Sequence, residues 1–352
     1  MQRSLLPLPP FFNTANANNW DYSPSLDKLR LFAEEWRRDQ KIKASAAAKT
    51  KVTALIIDAN KDFCHPRGTL FVSGRSGTGA VDDSNRIAKF VYENLDVITD
   101  IVPTMDTHKR YQIFTPTFWQ WADGTPVPQN QIIPTDLVAS GKIKVIPSMV
   151  NFIPGATSTW INDYVVYYAR KLEADGKKVL IAFAPHCVLG SDGHPIIGTV
   201  FEAISFHSFV RRVENDPEVK GGNVLTECFS VLGPEVKVAH DGTILDNGEN
   251  RMRMIKALLA ANYVVIMGQA SSHCVASTID DLLTWILAND PSLAQKVYIA
   301  EDGMSAVNLS AYGGPDFTDA ATAALDKFRN AGMHVVRLSE RMETWPGFQL
   351  AA

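Results

Sequence analysis

The chain has 352 residues, 46% of them hydrophobic, enough for a sizeable core and compatible with one large α/β domain carrying insertions. A formal net charge of −4 gives no reason to expect nucleic acid or an anionic membrane as a partner, and no apolar run approaches the length of a membrane span. Four scattered cysteines (Cys64, Cys187, Cys228, Cys274) form no CxxC pair, which argues against a disulfide framework or zinc ribbon and suits a reducing, cytoplasmic setting. The prolines in the first ten residues break any signal-peptide core.

Residues 1–50 read as an extension. Prolines at 7, 9 and 10 favour an extended strip, Leu26 to Ile42 has amphipathic helical spacing, and Ala44 to Thr50 has linker composition. The main domain, 51–342, opens at Val52–Asp58, the continuous apolar run of a central parallel strand. A helix is expected over Ile87–Leu95, capped by Asp82, Asp83 or Ser84, followed by a strand over Val97–Thr104. A proline-rich, irregular insertion fills about 110–178, the pattern of a lid or an interface, and contains helix Thr157–Ala174. Strand Lys178–Phe183 follows, then a mixed region to about 250, strand Val264–Met267 and a helix beginning at Cys274. Strand Val297–Ala300, helix Asp316–Ala331, strand His334–Leu338 and a tail, 343–352, complete the chain. Strands alternating with helices predict a three-layer α/β/α fold with a mostly parallel central sheet. No G-x-G-x-x-G follows the first strand, which disfavours a Rossmann dehydrogenase.

Sites in such sheets form beyond the carboxyl ends of the strands. Asp58, Asp106 with His108, His186 and Cys274 all follow predicted strands and so are expected on one rim. Cys274 stands where a helix should begin. Free N–H groups and the helix dipole there stabilise a thiolate or an oxyanion, although a small cysteine packed beneath a helix fits the same local pattern. Asp106 and His108, two apart on an extended segment, share a face. With His186 they make a two-histidine, one-carboxylate set for a divalent ion, or else a hydrogen-bonded Asp–His pair.

Five segments carry a family resemblance. They are Ile57–Leu70, Met105–His108, Ala184–Gly193, Lys220–Ser230 and Gly268–Val275, and in that order they resemble the motifs of the nicotinamidases within the isochorismatase-like cysteine hydrolases. Ser271 and Ser272 replace the Thr-Asp pair of the family's cysteine loop, and residues 1–50 and the insertion have no counterpart. The resemblance implies the isochorismatase-like hydrolase fold and a catalytic triad of Asp58, Lys220 and Cys274. It also implies a cis bond at Gln269–Ala270 with oxyanion donors at Ala270 and Cys274. Phe63 and Phe183 would sandwich a ring, and Asp106, His108 and His186 would hold one divalent metal ion, zinc first, with iron or manganese as alternatives. The implied activity is hydrolysis of nicotinamide or a related heteroaromatic amide through a thioester. A relative acting on another small amide or ureido acid, and a non-catalytic binding module, are the competing readings. The expected partners are a small-molecule amide and a second copy in a homo-oligomer. Phe11, Phe12, Trp36, Phe118, Trp119 and Trp121 predict that the extension and insertion pack against the core or that second copy and shape the pocket mouth.

Overall fold

The apolar run that opens the main domain forms strand β1 (Val52–Ile57), buried along its whole length. Its alternation distributes side chains to two layers. Val52, Ala54 and Ile56 enter one core, whereas Leu55 and Ile57 enter another on the opposite face. In this computed structural model, which describes residues 3–174 and 178–351, the helices in chain order are α1 (Leu26–Asp39), α2 (Lys61–Cys64), α3 (Gly79–Glu93), α4 (Thr135–Ala139) and α5 (Ser158–Glu173). They continue as α6 (Gly198–Arg211), α7 (Glu249–Ala260), α8 (Cys274–Asn289) and α9 (Thr318–Asn330). Helices α1, α3 and α6 cover the Val52 face of the sheet, and α7, α8 and α9 cover the Leu55 face.

The remaining strands are β2 (Asp100–Asp106), β3 (Trp119–Trp121), β4 (Gln131–Ile133), β5 (Ile143–Val145), β6 (Leu180–Ala182), β7 (Glu218–Lys220), β8 (Tyr263–Gly268), β9 (Val297–Ala300) and β10 (His334–Val336). Six of the strands make one sheet in the order β7-β2-β1-β8-β9-β10, with every neighbouring pair parallel. The three-layer α/β/α expectation is met. The order reverses direction between β1 and β8, and in open parallel sheets the crevice at such a switch is where ligands bind.

Several sequence expectations require correction. The strand expected over Lys178–Phe183 is shortened to β6 and does not join the central sheet; it pairs antiparallel with β4. A continuous apolar run marks a buried strand without saying which sheet buries it. Helix α3 begins eight residues earlier than expected, after Thr78, so Asp82, Asp83 and Ser84 lie inside it rather than capping it. The region between 187 and 250 contains the buried helix α6, whose nearly all-round apolar surface hides helical periodicity. The insertion is not structureless. It holds β3 paired with β5, contributes β4 to a pair with β6 just beyond it, and packs Trp119, Tyr164 and Tyr168 in a core shared with Leu180, Leu225 and Val236.

The extension lies on the main domain. Phe11 meets Phe206 of α6 at 5.2 Å and Phe32 at 5.3 Å between ring centroids. Tyr22 donates a hydrogen bond to Glu202, which also accepts one from Tyr92 at 2.8 Å. Trp20 lies against Lys61 and Arg67 near α2, so the extension reaches the shoulder of the pocket described below without lining it. The tail is anchored too, with Trp345 stacked on Phe90 and on Tyr298. Among the described residues, no helix is long and apolar enough to cross a membrane.

Candidate active site

Register places the central groups. Ile57 pairs with Gly268 and Asp106 pairs with Lys220 across parallel strands, so the chain leaves β1, β2, β7 and β8 at one level of the rim. Asp58 exits β1 with φ +46°, a left-handed conformation that aspartate tolerates better than most residues. Gly268 ends β8 with φ +118°, and a Cβ there would stand 2.0 Å from the Ile57 carbonyl oxygen, so glycine lets the two strands leave side by side. The next peptide bond, Gln269–Ala270, is cis, as the sequence resemblance implies. Asp83, expected as a cap, instead accepts a hydrogen bond from the Gln269 amide at 2.9 Å, and Gln269 Oε1 accepts the Ser305 N–H at 3.2 Å.

Lys220 joins the site's acids. Its Nζ lies 2.8 Å from Asp58 Oδ2, 2.8 Å from Asp106 Oδ1 and 3.6 Å from Cys274 Sγ, and it donates to the Cys228 carbonyl at 2.9 Å. All four ionisable groups are buried. A carboxylate oxygen each of Asp58 and Asp106 and the Cys274 sulfur lie within 4.8 Å of one another. Burial alone would discharge the lysine, but Asp106 and Asp58 push its pKa well above the ordinary value. Burial and the negative Asp106 push the Asp58 carboxyl up despite Lys220. Burial also pushes the Cys274 thiol up, with Lys220 opposing. The resting sulfur therefore keeps its proton beside a carboxyl raised toward proton-accepting strength. The Thr104 hydroxyl fixes that carboxyl, donating to Asp58 Oδ1 at 2.5 Å and accepting the Asp58 N–H at 3.0 Å.

Cys274 is the first residue of α8. The Ala270 carbonyl accepts the N–H groups of His273 at 3.0 Å and Val275 at 3.1 Å, while those of Ala270 and Cys274 have no backbone acceptor among the described residues. Two free donors beside a thiol are what an oxyanion site requires.

Asp106, His108 and His186 converge, their ligand atoms within 4.8 Å of one another. His108 Nε2 is 2.8 Å and His186 Nε2 3.8 Å from Asp106 Oδ2. The outer nitrogens face backbone carbonyls, His108 Nδ1 toward Gly221 at 3.2 Å and His186 Nδ1 toward Ala184 at 2.7 Å. If the Nδ1 atoms donate to those carbonyls, both Nε2 lone pairs point toward a carboxylate, a donor set that a cation completes. Burial and His108 push His186 down to about 4, keeping it neutral. Behind it, Asp62 accepts the N–H groups of Thr69 at 3.0 Å and Cys187 at 2.7 Å, pinning the loop that carries His186. Asn60 exchanges hydrogen bonds with the Asp106 backbone at 3.1 and 3.2 Å.

A pocket opens between these groups, bounded by Cys274 and Ala270, by the Asp106–His108–His186 trio, and by Phe63, Phe183 and Phe229. Every candidate residue named from sequence is thus brought to one locality. Thr104, Phe229 and Glu227 were not singled out from the sequence. The two-residue spacing of Thr104 and Asp106 on one strand face was the available signal for the first, and no local pattern marks the other two.

No protein-family profile matches this chain, and no curated protein matches it. Similar solved structures include the yeast nicotinamidase Pnc1p bound to the inhibitor nicotinaldehyde, at 15% identity and TM-score 0.47, covering 81% of this chain and 99% of that one. A nicotinamidase/pyrazinamidase of Acinetobacter baumanii is similar at 14% identity and TM-score 0.46, covering 83% and 98%. The pyrazinamidase of Pyrococcus horikoshii in complex with zinc is similar at 14% identity and TM-score 0.40, covering 81% and 98%. At these identities the likeness is one of fold.

Proposed function

We propose that the chain is a metal-containing cysteine amidohydrolase acting on nicotinamide or a related heteroaromatic amide. The observation that carries the reading is the buried Lys220 held between Asp58 and Asp106, 3.6 Å from the sulfur of Cys274, which lines an aromatic-walled pocket. A flat ring held between Phe63 and Phe183, both of which line this pocket, would direct its carboxamide toward Cys274.

Cys274 attacks the amide carbon as its proton passes to Asp58, and the N–H groups of Ala270 and Cys274 hold the oxyanion. Asp58 then returns the proton to the departing nitrogen, and ammonia leaves a thioester on Cys274. Water attacks the thioester while giving a proton to Asp58. The tetrahedral adduct collapses, releasing the acid, and the sulfur recovers its proton. Lys220 keeps its charge throughout and compensates whichever of the thiolate and Asp58 is negative. Asp106, His108 and His186 would hold the divalent ion, whose contribution when bound is to orient a ring nitrogen of the substrate.

Ammonia release from a panel of amides by purified, metal-analysed protein tests the reading. Turnover of a pyridine carboxamide that vanishes in Cys274→Ala, with fold and metal content retained, is the expected result. Near-normal turnover in that variant would overturn the mechanism. His108→Ala and His186→Ala should lose the ion while the thiol still reacts with an alkylating agent. Protein purified without chelator that holds no metal and gains no activity from zinc, manganese or iron would point instead to a metal-free hydrolase of another small amide.

A further inference from the structure

One wall of the pocket is held from outside by a cation that the reaction above does not use. Phe229 lines the pocket beside Cys228, and its ring lies 5.4 Å from that of His273, the residue before the nucleophile. Neither backbone group of Phe229 has a backbone partner among the described residues, so side-chain contacts set where the ring stands. It packs at the margin of both cores. Apolar contact of that kind is non-directional, and it leaves the distance between ring and sulfur unspecified. The directional contact comes from Lys178, where the insertion ends and the chain runs into β6. Its Nζ lies 4.5 Å from the Phe229 ring centroid, donates to Ser277 Oγ at 3.0 Å and pairs with Glu235 Oε2 at 2.8 Å. Lys178 does not line the pocket; it faces a separate cleft lined by residues of α8 and α9.

Ser277 stands in the first turn of α8, the helix that Cys274 begins, whereas Phe229 and Glu235 lie on the segment that follows Lys220. One ammonium group therefore ties the aromatic wall to the helix that carries the nucleophile. The Lys178 side chain keeps 28% of its surface open to water, and an ion pair so placed adds little to stability. What the contact supplies is geometry. We propose that Lys178 is a positioning residue for ring-bearing substrates: through its contact with the Phe229 ring and its bond to Ser277, it sets the spacing between the aromatic wall and Cys274. The insertion thereby acts on the pocket without lining it. This inference rests on the amidohydrolase reading. It deepens that reading by assigning a determinant of ring binding that lies outside the pocket.

The test measures hydrolysis of pyridine-3-carboxamide by the wild type, Lys178→Met, Lys178→Arg, Phe229→Leu and the double variant Lys178→Met with Phe229→Leu. Binding of the same amide is measured by calorimetry in a Cys274→Ala background. Lys178→Met should raise KM and Kd by roughly three- to tenfold while kcat stays within about twofold, the size of a partly shielded cation–π contact. That split marks lost ring binding rather than lost chemistry. Lys178→Arg, which keeps a cation able to stack on the ring, should recover most of the binding. In the Phe229→Leu background the methionine change should have no further effect, a coupling that a merely structural lysine does not show. Should Lys178→Met fail to fold, Lys178→Gln supplies the same comparison. Unchanged KM and Kd in the uncharged variant overturn the inference. So does an undiminished effect in the Phe229→Leu background, or a loss confined to kcat. Hydrolysis of the amide by the wild type alongside any of these results leaves the amidohydrolase reading standing. A wild type that neither hydrolyses nor binds any ring carboxamide overturns both.

Discussion

At the scale of single residues, the site is one cation among acids. Removing the cation while keeping its length, as in Lys220→Met, should leave Asp58 and Asp106 buried without their shared partner. The expected cost is ~3–5 kcal/mol, the range for breaking a buried pair by deleting one member. Urea unfolding should show the loss, and ammonia release should fall to background. A second consequence concerns His207, fully buried on α6, which contacts the Ile98 carbonyl at 3.0 Å and Asn215 at 3.0 Å. Burial pushes its pKa down from 6.5 to about 3. The unfolded chain therefore binds a proton there that the folded chain refuses. This residue's contribution to stability is fully present above pH 6.5 and is lost as pH falls toward 3, at a slope of at most about 1.4 kcal/mol per pH unit. Melting across that window should show a shallower acid decline in His207→Gln than in the parent chain. Asp58, Asp106, His108, His186 and Cys274 were legible in the sequence because each follows an apolar run, whereas Lys220, at the end of the short strand β7, was named only through the family resemblance. The partners of those residues were not. Thr104 acts on Asp58, and Asn60 on the Asp106 backbone, across 46 positions of sequence, and such pairings arise only when strands take neighbouring places.

At the scale of elements, the strongly apolar strands β1, β8 and β9 fell close to where their composition placed them, since a buried parallel strand is nearly all aliphatic. Strand β6 was detectable but not assignable, because its apolar run does not distinguish the central sheet from a two-stranded partnership with β4. The exit of β8 is the most constrained junction. Gly268→Ala would press a methyl group against the Ile57 carbonyl and tilt the Gln269–Ala270 segment beside Cys274. The expected destabilisation is about 2–4 kcal/mol, with loss of activity larger than the loss of folded protein; guanidinium unfolding alongside active-thiol titration would separate the two. Unaltered stability would mean that the strands can part at that point.

At the scale of the whole molecule, the main-domain boundaries hide how closely the extension is joined to it. Phe11, Phe12, Phe32 and Trp36 pack on the same core as α3 and α6, so deletion of residues 1–45 uncovers an aromatic face on α6 around Phe206. The truncated chain should aggregate or associate into larger species by light scattering and melt at lower temperature. A monodisperse truncation with an unchanged melting temperature would show that the contact contributes little. The insertion buries Trp119 and Tyr164 in a cluster shared with Leu180, Leu225 and Val236, so its removal should also expose apolar surface on the segments that follow it. The expectation that these segments face a pocket was met only at its edge: neither supplies a residue to the lining, and Trp20 stops at Lys61 and Arg67. Composition announced that the aromatic residues needed cover, and only the folded arrangement says which surface provides it.

The two oxygens of Asp106 have separate duties, one toward Lys220 and the other toward His108 and His186. A chain of this architecture that bound no metal would still need the aspartate to hold its lysine, whereas nothing in the lysine cluster would preserve the two histidines. In comparing sequences of this architecture, retention of the aspartate is therefore uninformative about metal, and the histidine pair is the diagnostic character. The same asymmetry sets an order in which such a site can decay: the histidines first at no cost to the thiol's neighbours, the aspartate only after the lysine has ceased to matter.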